Sequence, residues 1–320
     1  MACSRCGKIY FGLFVLLLLI TCASSFLLKN PHCSLQPARV VSALAVQSES
    51  PDDDETRHLA AIQVAQTRMK NVMTNDFFES SSTLRTFFSK VCKTSEVKES
   101  NIAGAGLGLF ARKAVKANTI VSFYPAHALG LDSEQSDCPF YSDDPYFDRN
   151  RSSSSSYLHC TDQPLFNRKS VLSIDDETAS QPPPLFLDVN PNLPLIDGWL
   201  SQMINDGAMV HRKTEQGVLD YYQLSKNRRN CIHIPFGPSP IIATVTTKKV
   251  KKGDELLTTY GGIYWLGTGN LDPALPDVGV TPPIGAEIRA TANELVASLK
   301  KMRTVYVNQE KALQEAYENL

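Results

Sequence analysis

Between Asn230 and Gly262 the chain alternates in a way that predicts two strands. Ile241, Ala243 and Val245 alternate with Ile242, Thr244 and Thr246 in a β-branched run that reaches Val250. Such a run predicts a strand buried on at least one face. Lys251-Lys252-Gly253-Asp254 reads as a turn, and Glu255 to Thr259 as a second short strand ending at Tyr260-Gly261. Further upstream, Leu109 to Ala111, Thr119 to Tyr124 and Phe186-Leu187-Asp188 also read as strands.

Helical spacing frames these strands. Asp52-Asp53-Asp54-Glu55 opens an amphipathic helix, since acids favour a helix N-terminus, and Leu59, Ile62, Met69 and Met73 fall on one face. A second helix covers Thr83 to Val91. Near the C-terminus Ile288, Ala292, Leu295, Leu299, Met302 and Tyr306 recur at four-three-four spacing, the stripe of one long helix that packs on its own domain or serves as a lid. Two stretches carry no period. Leu131 to Pro184 holds the serine run Ser152 to Ser156, acids at Asp143, Asp144, Asp175, Asp176 and Glu177, and Pro182 to Pro184, a loop-like insert. Leu266 to Thr281 is rich in Gly and Pro and reads as a linker.

The first fifty residues have a different character. Arg5 and Lys8 precede an apolar run from Ile9 to Ile20, shorter than the ~20 residues of a membrane span. Ala23 and Ser25 are small residues placed for a cut before Phe26, so residues 1–25 read as a signal peptide, or alternatively as an uncleaved signal anchor, which is the membrane contact expected of the chain. Residues 26–48 carry Lys29 and Arg39 and no acid, as a transit peptide does. Together the two parts resemble the bipartite plastid leaders of algae with secondary plastids. The expected route is import into an organelle, a plastid above all, with the endomembrane system as the alternative.

Composition narrows the classes. The chain has 320 residues, 42% hydrophobic and 20% charged, with a formal net charge of −1. That supports a globular core and gives no bulk charge for nucleic acid. Of the eight cysteines, Cys3, Cys6, Cys22 and Cys33 lie in the leader, and Cys92, Cys138, Cys160 and Cys231 are scattered. The Cys3-x-x-Cys6 pair beside an apolar run is incidental or a lipidation site, so no metal site is expected.

Gly104, Gly106 and Gly108 alternate before a strand. A phosphate-cradling loop needs a helix there, so the glycines read as the turn of a hairpin that uses positive φ. Their wording is more informative. Gly106-Leu107-Gly108-Leu109-Phe110-Ala111, then Arg112, then Asn118-Thr119-Ile120-Val121 and Tyr124, resembles the opening of a SET domain. Asn230-Cys231, a strand, Gly253-Asp254-Glu255-Leu256 and Tyr260-Gly261 resemble its C-terminal half. Between them, Asn205 matches the Asn of the family's Asn-His pair, while Asp206 stands where His is usual. His211 to Arg229 is longer than the usual connection; its Lys226, Arg228 and Arg229 read as a solvated basic loop. No Cys follows Cys231, so the zinc cluster that many members place after Tyr-Gly is absent.

The resemblance implies a mainly β fold with flanking helices: a pseudoknotted SET domain over residues 95–266 with an irregular insert at about 131–184, a helical segment at 51–94, and a linker and long helix at 267–320. It implies S-adenosyl-L-methionine-dependent methylation of a lysine on a protein substrate. It assigns donor contacts to Gly104, Gly106, Leu107, Gly108, Asn205, Asp206, Asn230 and Cys231. It assigns catalysis to Tyr260, with Tyr124 and His233 beside it. Asp206 and the long insert leave a second reading, a catalytically inactive SET-fold module that binds a protein partner.

Overall fold

The computed structural model describes residues 51–131, 140–142, 144–150, 159–161, 185–267 and 281–320. The leader, the serine run and the central part of the Gly/Pro linker lie outside these residues.

Three helices open the described chain: α1 (Pro51–Val72), α2 (Asn75–Glu79) and α3 (Ser82–Cys92). Ser81 caps α3 by accepting the Leu84 N–H at 3.2 Å. The predicted faces point inward, with Ile62, Met69 and Met73 buried from the first helix and Leu84, Phe87, Phe88 and Val91 from the third. The rings assemble into one cluster. Phe78 stacks on Phe88 with centroids 3.8 Å apart, and Phe123 sits 5.2 Å from Trp199 and 5.9 Å from Phe236. Aromatic packing of this kind joins the helices to the sheets behind them.

The strands form three small sheets. The first has the order β1 (Ser95–Glu99), β2 (Leu107–Ala111), β11 (Glu255–Thr258), β8 (Asn205–Asp206). The second is β3 (Ile120–Phe123), β10 (Ile242–Thr246), β9 (Cys231–Pro235). The third is β5 (Phe140–Tyr141), β4 (Ala128–Leu131), β7 (Leu185–Asp188), β6 (His159–Thr161). All five residues of β10 are buried, so its alternation marks two covered faces. This strand ends sooner than its β-branched run: at Thr246 the side chain donates to Lys116 O at 2.6 Å and the chain turns away.

Two expectations need correction. The span 131–184 is not all irregular: β5 and β6 pair onto the two edges of the β4–β7 pair, and a short helix, α4 (Pro145–Asn150), follows β5. Nor is His211 to Arg229 a solvated loop. It contains α5 (Glu215–Arg228), capped by Thr214 accepting the Gly217 N–H at 3.1 Å. Val218, Tyr221, Tyr222 and Ser225 of that helix are buried at helical spacing. Arg229 just beyond it is also buried and paired with Glu294. The charges of this stretch, read as a solvated face, hid an apolar stripe beside them.

The Tyr-Gly end of the chain is threaded into earlier structure. β11 runs antiparallel to β2 and parallel to β8, where Leu257 faces Asn205 and Thr258 faces Asp206. A short helix, α6 (Gly262–Gly267), follows and ends where the expected linker begins. The long helix α7 (Pro282–Glu318) packs on its own domain. Ile284 and Ile288 join Tyr221, Tyr222, Trp265 and Leu266, while Met302, Leu313 and Tyr317 enter the main core.

Candidate active site

The glycine turn closes the β1–β2 hairpin. Gly104 and Gly106 have φ of +79° and +71°, a conformation that costs a glycine little, and a Cβ built on either would meet nothing within 4 Å. The turn is therefore open on one side, with Leu107 half exposed at its end. Gly108 differs: a Cβ there would lie 2.4 Å from Glu255 Oε1. The glycine lets β2 approach a buried carboxylate.

Glu255 ties the turn to the rest of the site. It accepts from Ser100 Oγ at 2.7 Å and from the Asn101 N–H at 2.9 Å. Asn205 donates its amide toward Glu255 Oε1 (3.2 Å) and Leu107 O (3.1 Å). The Asn205 side chain thus locks β8 to the hairpin.

Asn230 and Cys231 act from behind. The Asn230 amide donates to Glu255 O at 2.8 Å and accepts the Leu257 N–H at 2.9 Å, while its own N–H reaches Leu257 O at 3.0 Å. One residue therefore gives β11 the bonds of a missing neighbour strand. Cys231 is fully buried among Leu109, Val250 and Leu256, and burial pushes its thiol well above the usual range. Both side chains are buried and turned toward β11 and the core behind it.

Asp206 organises the end of the strand. Its carboxylate is 5% exposed and accepts from the Tyr260 N–H (2.9 Å), Tyr221 OH (2.6 Å), Trp265 Nε1 (3.0 Å) and the Ala208 N–H (3.1 Å). Burial raises its pKa, and the hydrogen bonds from Tyr221, Tyr260, Trp265 and Ala208 oppose that rise. The next two backbone N–H groups are held by α5: Gly261 donates to Tyr221 OH at 2.9 Å and Gly262 to Tyr222 OH at 3.2 Å. Three successive N–H groups thus end on three side chains. Tyr260 itself donates its hydroxyl to Ile204 O at 2.6 Å, and its ring, 36% exposed, packs against both Tyr264 (4.8 Å) and Trp265 (6.0 Å), which also touch each other (5.2 Å).

Comparison with known proteins meets this geometry at both ends. A family model described as "SET domain" matches residues 106–261, from the glycine turn to Tyr260-Gly261. Residues 106–261 are a SET domain. Among solved structures similar to this chain is one titled "SET domain of RIZ1 tumor suppressor (PRDM2)", with 15% identity, covering 64% of this chain and 86% of that one at a TM-score of 0.26. No curated protein matches. The fold is of the lysine methyltransferase type, and the family generally acts on proteins with S-adenosylmethionine as donor.

Two further expected residues of the SET domain meet at the other end of the turn that carries Ile204. Tyr124 is buried, and its ring stands edge-on to His233 with centroids 5.6 Å apart. His233 Nδ1 lies 2.9 Å from Thr244 Oγ1, which donates to Ser201 Oγ at 2.6 Å. Ser201 begins the 3₁₀ turn Ser201–Met203. Its far side is Ile204, the acceptor for Tyr260. Tyr260, Tyr124 and His233 are therefore joined through one turn. The motifs do not include Tyr221, Tyr222 and Trp265, which hold this arrangement, and they include Glu255 without giving it a role. For the first two the signal was present in the helical stripe of α5.

Proposed function

We propose that this SET domain transfers a methyl group from S-adenosylmethionine to the side-chain amine of a lysine in a protein substrate. The observation that carries the reading is the setting of Tyr260, whose hydroxyl proton is directed at Ile204 O while the ring remains partly exposed. With that proton committed, the phenolic oxygen keeps lone pairs to accept an N–H from an amine beside the ring. Tyr264 and Trp265 extend the aromatic wall. Such a wall strips water from the entering side chain, which lowers the amine pKa and favours the neutral nucleophile. His233, held through Thr244 and Ser201, and Tyr124, edge-on to it, set the room left around that amine.

The donor's place fits the residues present. The glycine turn has open space beside Gly104 and Gly106, and Leu107 and Met209 are exposed by 51% and 40% next to it and beyond Asp206. Open backbone with apolar side chains at its margins suits a flat, partly apolar molecule. Gly104, Gly106, Leu107 and the backbone around Asn205 and Asp206 would hold it. When bound, S-adenosylmethionine supplies a methyl group activated by the sulfonium. Gly108, Asn205, Asn230 and Cys231 serve by fixing β2, β8 and β11 around that place.

The test uses labelled donor with proteins of the source compartment as acceptors. The wild-type protein labels lysine. Tyr260→Phe keeps the ring and loses the hydroxyl, so its rate falls on the order of a hundredfold, as a misplaced reactant would cause. Equal labelling by both proteins removes Tyr260 from catalysis, and no labelling by either leaves the inactive binding module. The leader's charge pattern supports import into an organelle, a plastid above all; a full-length fluorescent fusion found in the nucleus would overturn that.

A further inference from the structure

Two exposed segments lie side by side at the end of β11 opposite Tyr260. Residues 112–118 and 247–254 are clipped together by reciprocal backbone bonds between Val115 and Val250, both 2.9 Å, and by Asn118 N to Thr246 O at 2.7 Å. Ala111 N to Asp254 O (3.0 Å) and Gly253 N to Ala111 O (2.8 Å) close the other end. The two valines point inward, 4% and 1% exposed. What faces water is charge: Lys113, Lys116, Lys248, Lys249, Lys251 and Lys252 are all exposed.

Of the acids nearby, Glu96 is already paired with cations, while Asp254 keeps its charge and is held to the backbone. Asp254 accepts the Lys251 N–H at 2.9 Å. Glu96, at the edge, pairs with Lys98 and with Arg112, and Arg112 also reaches Asp197 at 3.6 Å. Six like charges on a rigid scaffold repel one another, in a chain whose net charge is only −1. Their concentration on one face costs stability and creates a local positive field.

We propose that this lysine face docks an acidic segment of a protein. Three features favour carboxylates over other anions. Apart from Arg112, already paired with Glu96 and Asp197, the exposed cations of the two segments are lysines, whereas phosphate recognition favours the forked guanidinium of arginine. Neither segment carries an aromatic residue on which a base could stack. Neither exposes a large apolar side chain that could enter a bilayer. Resting on the methyltransferase reading, the docked protein is the substrate. Asp254 and Tyr260 are separated along the strand by about 20 Å, six residues at ~3.3 Å each. The acidic segment of the substrate therefore lies well away from its target lysine.

Binding of labelled poly-L-glutamate to the full-length protein, followed by fluorescence anisotropy across a salt series, tests the surface without any need for activity. The triple variant Lys113→Glu/Lys249→Glu/Lys252→Glu is expected to lose affinity by on the order of tenfold or more, with a shallower salt dependence. Lys90→Glu/Lys300→Glu/Lys301→Glu, an equal charge change elsewhere, and Tyr260→Phe should bind as wild type. Equal losses in the two triple variants, or no binding at low salt, overturn the proposal. So does tighter binding of duplex DNA or phosphatidylserine vesicles through the same lysines. Lysine-dependent polyglutamate binding by a protein that transfers no methyl group keeps the docking surface and removes only the enzyme reading.

Discussion

Asp206 Oδ2 lies 2.9 Å from the backbone N of Tyr260 and accepts its proton. The contact ties the residue proposed to handle the amine to the end of β8. A carboxylate can accept several donors at once, and here it gathers Tyr221 OH, Trp265 Nε1 and the Ala208 N–H as well. Two of its donors are hydroxyls from α5 once Ser225 Oγ, 3.3 Å from Oδ1, is included.

Replacing Asp206 should therefore disturb Tyr260 before it disturbs the distant core. Asp206→Ala leaves buried donors unpaired and is expected to cost on the order of 3 kcal/mol, read by urea unfolding. Asp206→Asn keeps one acceptor oxygen and should cost less. In both variants kcat for methyl transfer should fall more than donor affinity, measured by calorimetry. A variant with unchanged kcat would detach Asp206 from the placement of Tyr260.

Tyr221→Phe tests the inserted helix. The ring stays packed while Asp206, Thr259 and the Gly261 N–H each lose a partner. A loss of about 1–3 kcal/mol is expected for the unpaired buried groups. Hydrogen exchange should speed up at Gly261 and leave the α3 amides unaffected.

His127 should make the fold sensitive to acid. Its Nδ1 accepts the Asn190 N–H at 3.1 Å, which requires that nitrogen to be unprotonated. Burial lowers its pKa below the usual 6.5, with Asp144 opposing. The folded state thus binds fewer protons than the unfolded chain in that window. Stability is full above 6.5 and is lost as pH falls through the lowered value. His127→Gln, which keeps an acceptor, should flatten the wild-type decline in melting temperature below pH 6.5.

Arg229 and Glu294 join the end of α5 to α7, and Arg229 Nε and Nη1 are buried without a hydrogen-bond partner. Glu294→Gln leaves that buried cation without its counter-charge. The expected loss is about 2–3 kcal/mol, below the figure for a fully buried pair because Glu294 keeps contact with water. Arg229→Met combined with Glu294→Met should recover most of it. A double variant as unstable as the single one would show that packing, not charge, holds the helices together.

By itself the sequence determined five of the strands, β2, β3, β7, β10 and β11, the buried faces of α1 and α7, and, by resemblance, the family. Those signals are local: β-branched alternation at Ile241–Val245, the stripe through Ile62 and Met69, and two short motifs whose glycines and tyrosine the chain spells out. It also put Tyr260, Asn205 and the glycine turn into one expected site by resemblance. What only the tertiary structure decided is how that site is held. Asn230 completes a strand 25 residues away, and Asp206 collects side-chain donors from 15 to 59 positions along the chain. Such bonds form only after the strands have crossed, so no periodicity announces them. The charged residues around α5 had pointed to a solvated loop, yet burial of Val218, Tyr221 and Tyr222 against Ile284, Ile288 and Trp265 won. Apolar area removed from water outweighs the surface charges beside it, and which face is removed depends on the partner that α7 brings.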